Sequence, residues 1–155
     1  MVNVHPFIWI GGDVGEAVSF YRRAFPGVKV TDEAKVPQDD GSELYTTATV
    51  HLPGMDLTVF NAGPFQELNQ AVSMFITCED QSDVDRLWDL FCDGGTPSQC
   101  GWVTDRFGVT WQVVPSALGR LMSDPDPVRA GRVRDAMMKM VKLDAAALQA
   151  AYDGK

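Results

Sequence analysis

The chain has 155 residues, enough for one domain with a substantial core or for two fused half-domains sharing one. A formal net charge of −8 excludes nucleic acid as the expected partner, because phosphate binding needs clustered Lys and Arg. No apolar run is long enough to span a bilayer, no leader-like series opens the chain, and Cys78, Cys92 and Cys100 form no CxxC pair; a cytoplasmic protein without membrane contact, disulfide framework or zinc ribbon is expected.

His5 to Ile10 reads as a first strand, with His5, Phe7 and Trp9 on one face and Pro6, Ile8 and Ile10 on the other. Gly11-Gly12 turns into a helix that Asp13 caps, with Glu16 three residues on. Ala17, Phe20, Tyr21, Ala24 and Phe25 form its apolar face, and Pro26-Gly27 ends it. Strands are predicted over 28–31, 44–52 and 55–61, the last two joined as a hairpin by Pro53-Gly54. The polar segment holding Pro37, Asp39, Asp40 and Gly41 is expected to be a solvated connection rather than a flap.

The pattern then repeats. A strand over 72–78 leads to a helix capped by Asp80 with Asp83 three residues on, and Val84, Leu87, Trp88, Phe91 and Cys92 form its apolar face. The helical faces and their caps correspond at a constant sequence offset, and Gly94-Gly95 closes the second helix as Pro26-Gly27 closes the first. Cys100 to Pro115 reads as a hairpin turning through Asp105-Arg106-Phe107-Gly108, with Val109, Trp111 and Val113 on one face and Thr110, Gln112 and Val114 on the other. Two tail helices follow. One is capped by Asp126 with Pro127 at its first position and carries a stripe of Ala130, Val133, Met137, Met140 and Val141. The last starts at Asp144, where Leu143 and Leu148 are spaced as a hydrophobic staple, and ends near Gly154.

The chemical motifs are sparse. Gly11 to Gly15 lies where a phosphate loop would lie, but it is neither GxGxxG nor a Walker sequence, and an acid at the helix start repels phosphate. His5 and His51 form no HxH or HExxH group, no GxSxG elbow is present, and no glycine motif would hold S-adenosylmethionine. His51 reads as an unremarkable strand-end residue.

The duplicated strand–helix–three-strand plan resembles the vicinal oxygen chelate superfamily, which includes glyoxalase I, ring-cleaving dioxygenases and the bleomycin and fosfomycin resistance proteins. Within it, PFIWIGGDVGEAVSFYRRAFP, VSMFITCEDQSDVDRLWDLFCDGG, QCGWVTDRFGVTWQVVP and the tail RVRDAMMKMVKLDAAALQAAY are similar to the PhnB-like branch, labelled 3-demethylubiquinone 3-methyltransferase-like. The resemblance implies an α+β fold of two βαβββ modules, 3–66 and 67–116, forming curled mixed sheets around a cavity, with a helical tail over 117–155. It implies a homodimer and a small-molecule ligand.

Metal-using members of the superfamily hold a divalent ion from four strands. Carried over by position, His5 matches one ligand, Ser73 and Gln112 replace two others, and the fourth falls near Asp56, Leu57 or Thr58. Serine is a poor ligand, and neutral Gln112 neither balances the ion's charge nor acts as a general base, so the usual glyoxalase chemistry is not expected. A binding protein is expected instead, with a cavity lined by Phe7, Trp9, Ser73, Phe75, Trp102 and Gln112. The alternatives are an enzyme with an altered metal set using His5 as acid–base group with Gln112, and the methyltransferase of the family label.

Overall fold

The computed structural model describes residues 2–155. The chain divides into two compact units, one running to Leu68 and the other from Asn69 to Lys155. Each holds a βαβββ module with its own four-stranded mixed sheet, so the class is α+β.

In the first unit, β1 (Phe7–Trp9), α1 (Val14–Ala24), β2 (Lys29–Pro37), β3 (Glu43–Leu52) and β4 (Met55–Asn61) follow in order. The sheet order is β1-β4-β3-β2, with β1 parallel to β4 and the other pairs antiparallel. β1 is shorter than the sequence suggests, although hydrogen bonds from Thr58 N–H to Pro6 O and from Ile10 N–H to Phe60 O extend its pairing beyond both ends. The Asp13 carboxylate accepts the Glu16 N–H at 2.8 Å, filling a donor that the first helical turn leaves unmade. One face of α1 buries Val14, Ala17, Val18, Phe20, Tyr21 and Ala24. It packs on β3 and β4, where Ala48, Val50, Leu57 and Val59 are buried.

The polar segment after Thr31 is mostly strand. β2 continues to Pro37, interrupted by a bulge between Thr31 and Ala34 where Asp32 takes φ 54°. Only 38–42 forms the turn. Asp32 and Glu33 precede Ala34, Lys35 and Val36 and hid the strand in the sequence, and an edge strand tolerates such polarity because one side stays solvated.

In the second unit, β5 (Met74–Cys78), α2 (Gln81–Cys92), β6 (Thr96–Pro97), β7 (Trp102–Thr104) and β8 (Thr110–Pro115) repeat the plan, with sheet order β5-β8-β7-β6. Asp80 accepts the Asp83 N–H at 3.0 Å, and α2 buries Val84, Leu87, Trp88 and Phe91, as the sequence offset predicts. Phe91 stacks on Trp111 at 4.8 Å between ring centroids, placing the Val109–Trp111–Val113 side of the hairpin against the helix.

Three helices complete this unit: α3 (Ser116–Met122), which the sequence reading missed, α4 (Pro127–Met137) and α5 (Ala145–Asp153). Val114, Leu118, Leu121, Val133, Leu143 and Leu148 form one buried cluster, with Met137 and Met140 packed against it. The expected stripe on α4 is therefore split: the helix stops at Met137, and Met140 and Val141 lie in the following turn. Their carbonyls accept the N–H groups of Cys100 and Gly101, both at 2.8 Å. Gln81 closes the junction by donating to Leu143 O and accepting from Ala145 N–H. Among the described residues, no helix is long and apolar enough to cross a membrane.

Candidate functional site

Strand alternation sends side chains to opposite faces, so each sheet has a helix-covered side and a far side. On the far side of the first sheet, Phe7, Trp9, Tyr45 and Phe60 form an aromatic row. Phe60 is its centre, with ring centroids 5.3 Å from Phe7, 5.0 Å from Trp9 and 5.4 Å from Tyr45. Phe7 is 62 % exposed even though it sits within the sheet. The Trp9 indole N–H donates to Gly63 O at 3.1 Å, which fixes the ring.

The row passes into a polar patch along the same face. His5 Nε2 lies 3.0 Å from Thr58 Oγ1, and Thr58 Oγ1 lies 2.9 Å from Thr49 Oγ1. The Pro53-Gly54 turn sets this register, pairing Thr49 with Thr58 and His51 with Asp56. His51 Nδ1 is 2.7 Å from Asp56 Oδ1, and its Nε2 is 2.9 Å from Thr31 Oγ1. Of the three candidates for the fourth ligand position, Leu57 is buried on the helix side, whereas Asp56 and Thr58 lie on the His5 side.

On the far side of the second sheet, the ladder places Gln112 between Phe75 and Trp102. Gln112 Nε2 donates to Ser73 Oγ at 2.8 Å, so these two expected site residues bond each other. Phe75 is 62 % exposed. Val114 lies further along the same face and is covered by the tail cluster, while Ser73, Phe75, Thr77, Trp102, Thr104 and Gln112 keep exposed surface.

The hairpin contains a buried acid that the sequence reading passed over. Asp105 is 3 % exposed; its carboxylate accepts the N–H groups of Phe107 and Val109 and, at 2.8 Å, the Trp111 indole N–H. Its position at the first residue of a turn, six before a tryptophan, was the available signal.

Within each unit, the expected site residues are taken up by neighbours. His5 is bonded to Thr58, Asp56 to His51 and Gln112 to Ser73. Among the described residues, no three His, Cys, Asp or Glu side chains gather as potential ligands. The strand-to-helix turn likewise fits no phosphate: the hollow beside it is lined by Gly12, Asp13, Glu43, Tyr45, Asn61 and Gly63, which carry two acids and no cation. Hydrogen bonds from Lys35 and Thr46 hold the Glu43 carboxyl below its ordinary range, keeping it ionised.

A family model described as 3-demethylubiquinone-9 3-methyltransferase matches residues 2–114. No curated protein matches the sequence. Among solved structures, a PhnB protein from Bacillus cereus is similar with a TM-score of 0.63 at 19 % identity, over 74 % of this chain and 100 % of that one. Protein PA1353 from Pseudomonas aeruginosa gives a TM-score of 0.61 at 20 % identity, over 74 % and 98 % of the two chains. The fosfomycin resistance protein FosX from Listeria monocytogenes, complexed with Mn(II) and sulfate, gives a TM-score of 0.51 at 12 % identity, over 71 % and 88 %. At these identities the structural likeness shows the fold. With two βαβββ modules, the shared architecture and a family match across both of them, the chain belongs to the PhnB-like, 3-demethylubiquinone-9 3-methyltransferase-like family of the vicinal oxygen chelate fold.

Proposed function

We propose that the protein binds a small planar or amphipathic molecule on the far faces of its sheets, with no step that needs a metal-activated carboxylate base. The observation that carries this reading is the exposed Phe7 at the end of an aromatic row that leads into the His5–Thr58–Thr49 chain. An aromatic or quinonoid ring stacks on such a row, while hydroxyl or carbonyl groups reach the imidazole and the threonines. Phe75 and Trp102 around the Ser73–Gln112 pair offer the same chemistry in the second unit.

The metal-dependent alternative has less support, because His5 is the one ligand-type residue kept at the superfamily's positions apart from Asp56, which is bonded to His51. Methyl transfer, named in the family description, requires a donor site that no motif in the chain supplies. The ring of a demethylubiquinone is nevertheless of the class that the aromatic row suits, so substituted benzoquinones belong in any ligand panel. We further propose a homodimer acting in the cytoplasm; three free cysteines, one of them buried, suit a reducing compartment.

Tryptophan fluorescence and thermal shift across benzoquinones, naphthols and aromatic antibiotics test the reading. Saturable quenching is expected, weakened about tenfold in Phe7→Ala, the loss of roughly one aromatic contact. Absence of any shift across the panel, or equal affinity in Phe7→Ala, overturns it. Light scattering at micromolar protein tests the dimer, which a monomeric mass contradicts.

A further inference from the structure

We propose that an ordered chain of hydrogen bonds makes His5 a donor to the ligand, so that the far face of the first sheet selects neutral carbonyl compounds. The selection rests on the binding site proposed above and adds which polar group its ligand carries. Three side chains share few protons there. His5 Nε2 lies 3.0 Å from Thr58 Oγ1, and Thr58 Oγ1 lies 2.9 Å from Thr49 Oγ1. Each hydroxyl has one proton to give, and a neutral imidazole has one. The two bonds therefore run in one of two orders, outward from Thr49 to His5 or inward from His5 to Thr49.

Burial decides between them. Thr49 is 6 % exposed and Thr58 7 %, whereas His5 is exposed. Among the described residues, Thr49 Oγ1 has Thr58 Oγ1 as its one hydrogen-bond partner. In the inward order, His5 Nε2–H gives to Thr58 and Thr58 gives to Thr49, whose own proton is left buried without an acceptor. In the outward order, Thr49 gives to Thr58, Thr58 gives to Nε2, and both buried protons are used. A buried donor left unmet costs more than any other arrangement of the chain, so the outward order holds. Nε2 then accepts and carries no proton, and the imidazole keeps its proton on Nδ1. The exposed end of the chain is an N–H.

Its place suits a ligand seated on the aromatic row. Phe7 stands opposite Thr58 on the ladder, and His5 lies two residues before Phe7 on the same face. Successive positions on one face of a strand are about 7 Å apart. A ring stacked on the exposed Phe7 therefore brings a carbonyl attached to it within reach of the His5 ring. A carbonyl oxygen only accepts, which matches an N–H, whereas a ligand N–H in the same place meets a second donor. Anionic acceptors are disfavoured by a chain of net charge −8. The ligand class is an aryl ketone or a related neutral carbonyl compound.

Two measurements at pH 8 test the two halves. Nitrogen-15 NMR of the histidine side chains reads the tautomer, and His5 is expected with its proton on Nδ1, the reverse of the preference of free histidine. Thr49→Val removes the first proton of the chain and returns His5 to a mixture, while Thr49→Ser keeps the Nδ1 tautomer. Ligand-observed NMR titration with 1-indanone, indane and indole reads the selection, since these similar bicycles carry a carbonyl, no polar group and an N–H. 1-Indanone is expected to bind about tenfold more tightly than either of the others, the worth of one hydrogen bond. His5→Phe, which keeps a ring but has no N–H, brings the three affinities together. A proton on Nε2 overturns the proton order, as does an unchanged tautomer in a folded Thr49→Val. Equal affinity for 1-indanone and indole overturns the selection. If Nδ1 carries the proton and none of the three compounds binds, the binding site itself fails and the selection falls with it. Circular dichroism establishes that each variant is folded, and the wild-type tautomer and affinities decide the outcome without any variant.

Discussion

Asp105 illustrates what one buried carboxylate does for a turn. Two backbone N–H groups and an indole N–H converge on it, and removing it leaves three donors without their acceptor. Asp105→Ala is expected to destabilise the protein by about 3 kcal/mol, read by urea unfolding, because bonds to a charged acceptor and unmet buried donors both weigh heavily. Asp105→Asn, which keeps one carbonyl acceptor, loses less. Cys78 makes a different point at the same scale. Burial, reinforced by the nearby Asp83, pushes its thiol up to about 11. The thiol is more easily ionised when the chain is unfolded, so stability from this group is intact below pH 9 and falls as the pH rises from about 9 through about 11. A thiol reagent at pH 8 should accordingly leave Cys78 unmodified until the protein is denatured.

Much of the residue-level pattern was legible in the sequence, for identifiable reasons. Asp13, Asp80, Asp126 and Asp144 were readable as caps because an N-cap is a local device. The partners of His51 were missed because they come from two other strands. Yet the two-residue Pro53-Gly54 turn already implies that His51 faces Asp56 and Thr49 faces Thr58. Thr31 could be read as strand but not matched to His51, because the long polar connection between β2 and β3 does not fix their register.

Between elements, close approach sets the limits. A side chain at Gly95 would put Cβ 2.1 Å from Phe91 O and 2.6 Å from Thr104 O, both backbone atoms. That glycine lets the end of α2 lie directly against β7. Gly95→Ala is expected to cost about 3 kcal/mol by forcing helix and strand apart, measured as a lowered unfolding midpoint. The helices themselves were legible from 3.6-residue periodicity and the strands of the hairpins from alternation. α3 was not, because seven residues give barely two turns of pattern. The polar half of β2 was also missed, since alternation is weak where one face meets only solvent.

At the scale of the molecule, the tail belongs to the second unit rather than hanging from it. Leu143 is fully buried beside Val114, so Leu143→Ala should destabilise by about 3 kcal/mol and raise hydrogen exchange in β7 and β8. The duplication that reveals the family is a whole-chain signal, and it was the most legible feature of all. The individual far-face chemistry was less so, because family position predicts where a residue stands but not which neighbour it bonds.

The carbonyls of Met140 and Val141 complete the hydrogen bonding of Cys100 and Gly101, and Gln81 ties the start of α2 to Leu143 and Ala145. A ribosome delivers those partners well after the hairpin they complete. The first βαβββ module has all its strands once Asn61 has emerged, whereas the second must wait, its hairpin lacking backbone partners, until Met140 to Ala145 have cleared the exit tunnel. The two halves, alike in architecture, thus differ in when during synthesis they can close: the first needs only its own strands and helix, and the second needs a segment made about thirty residues after its last strand begins.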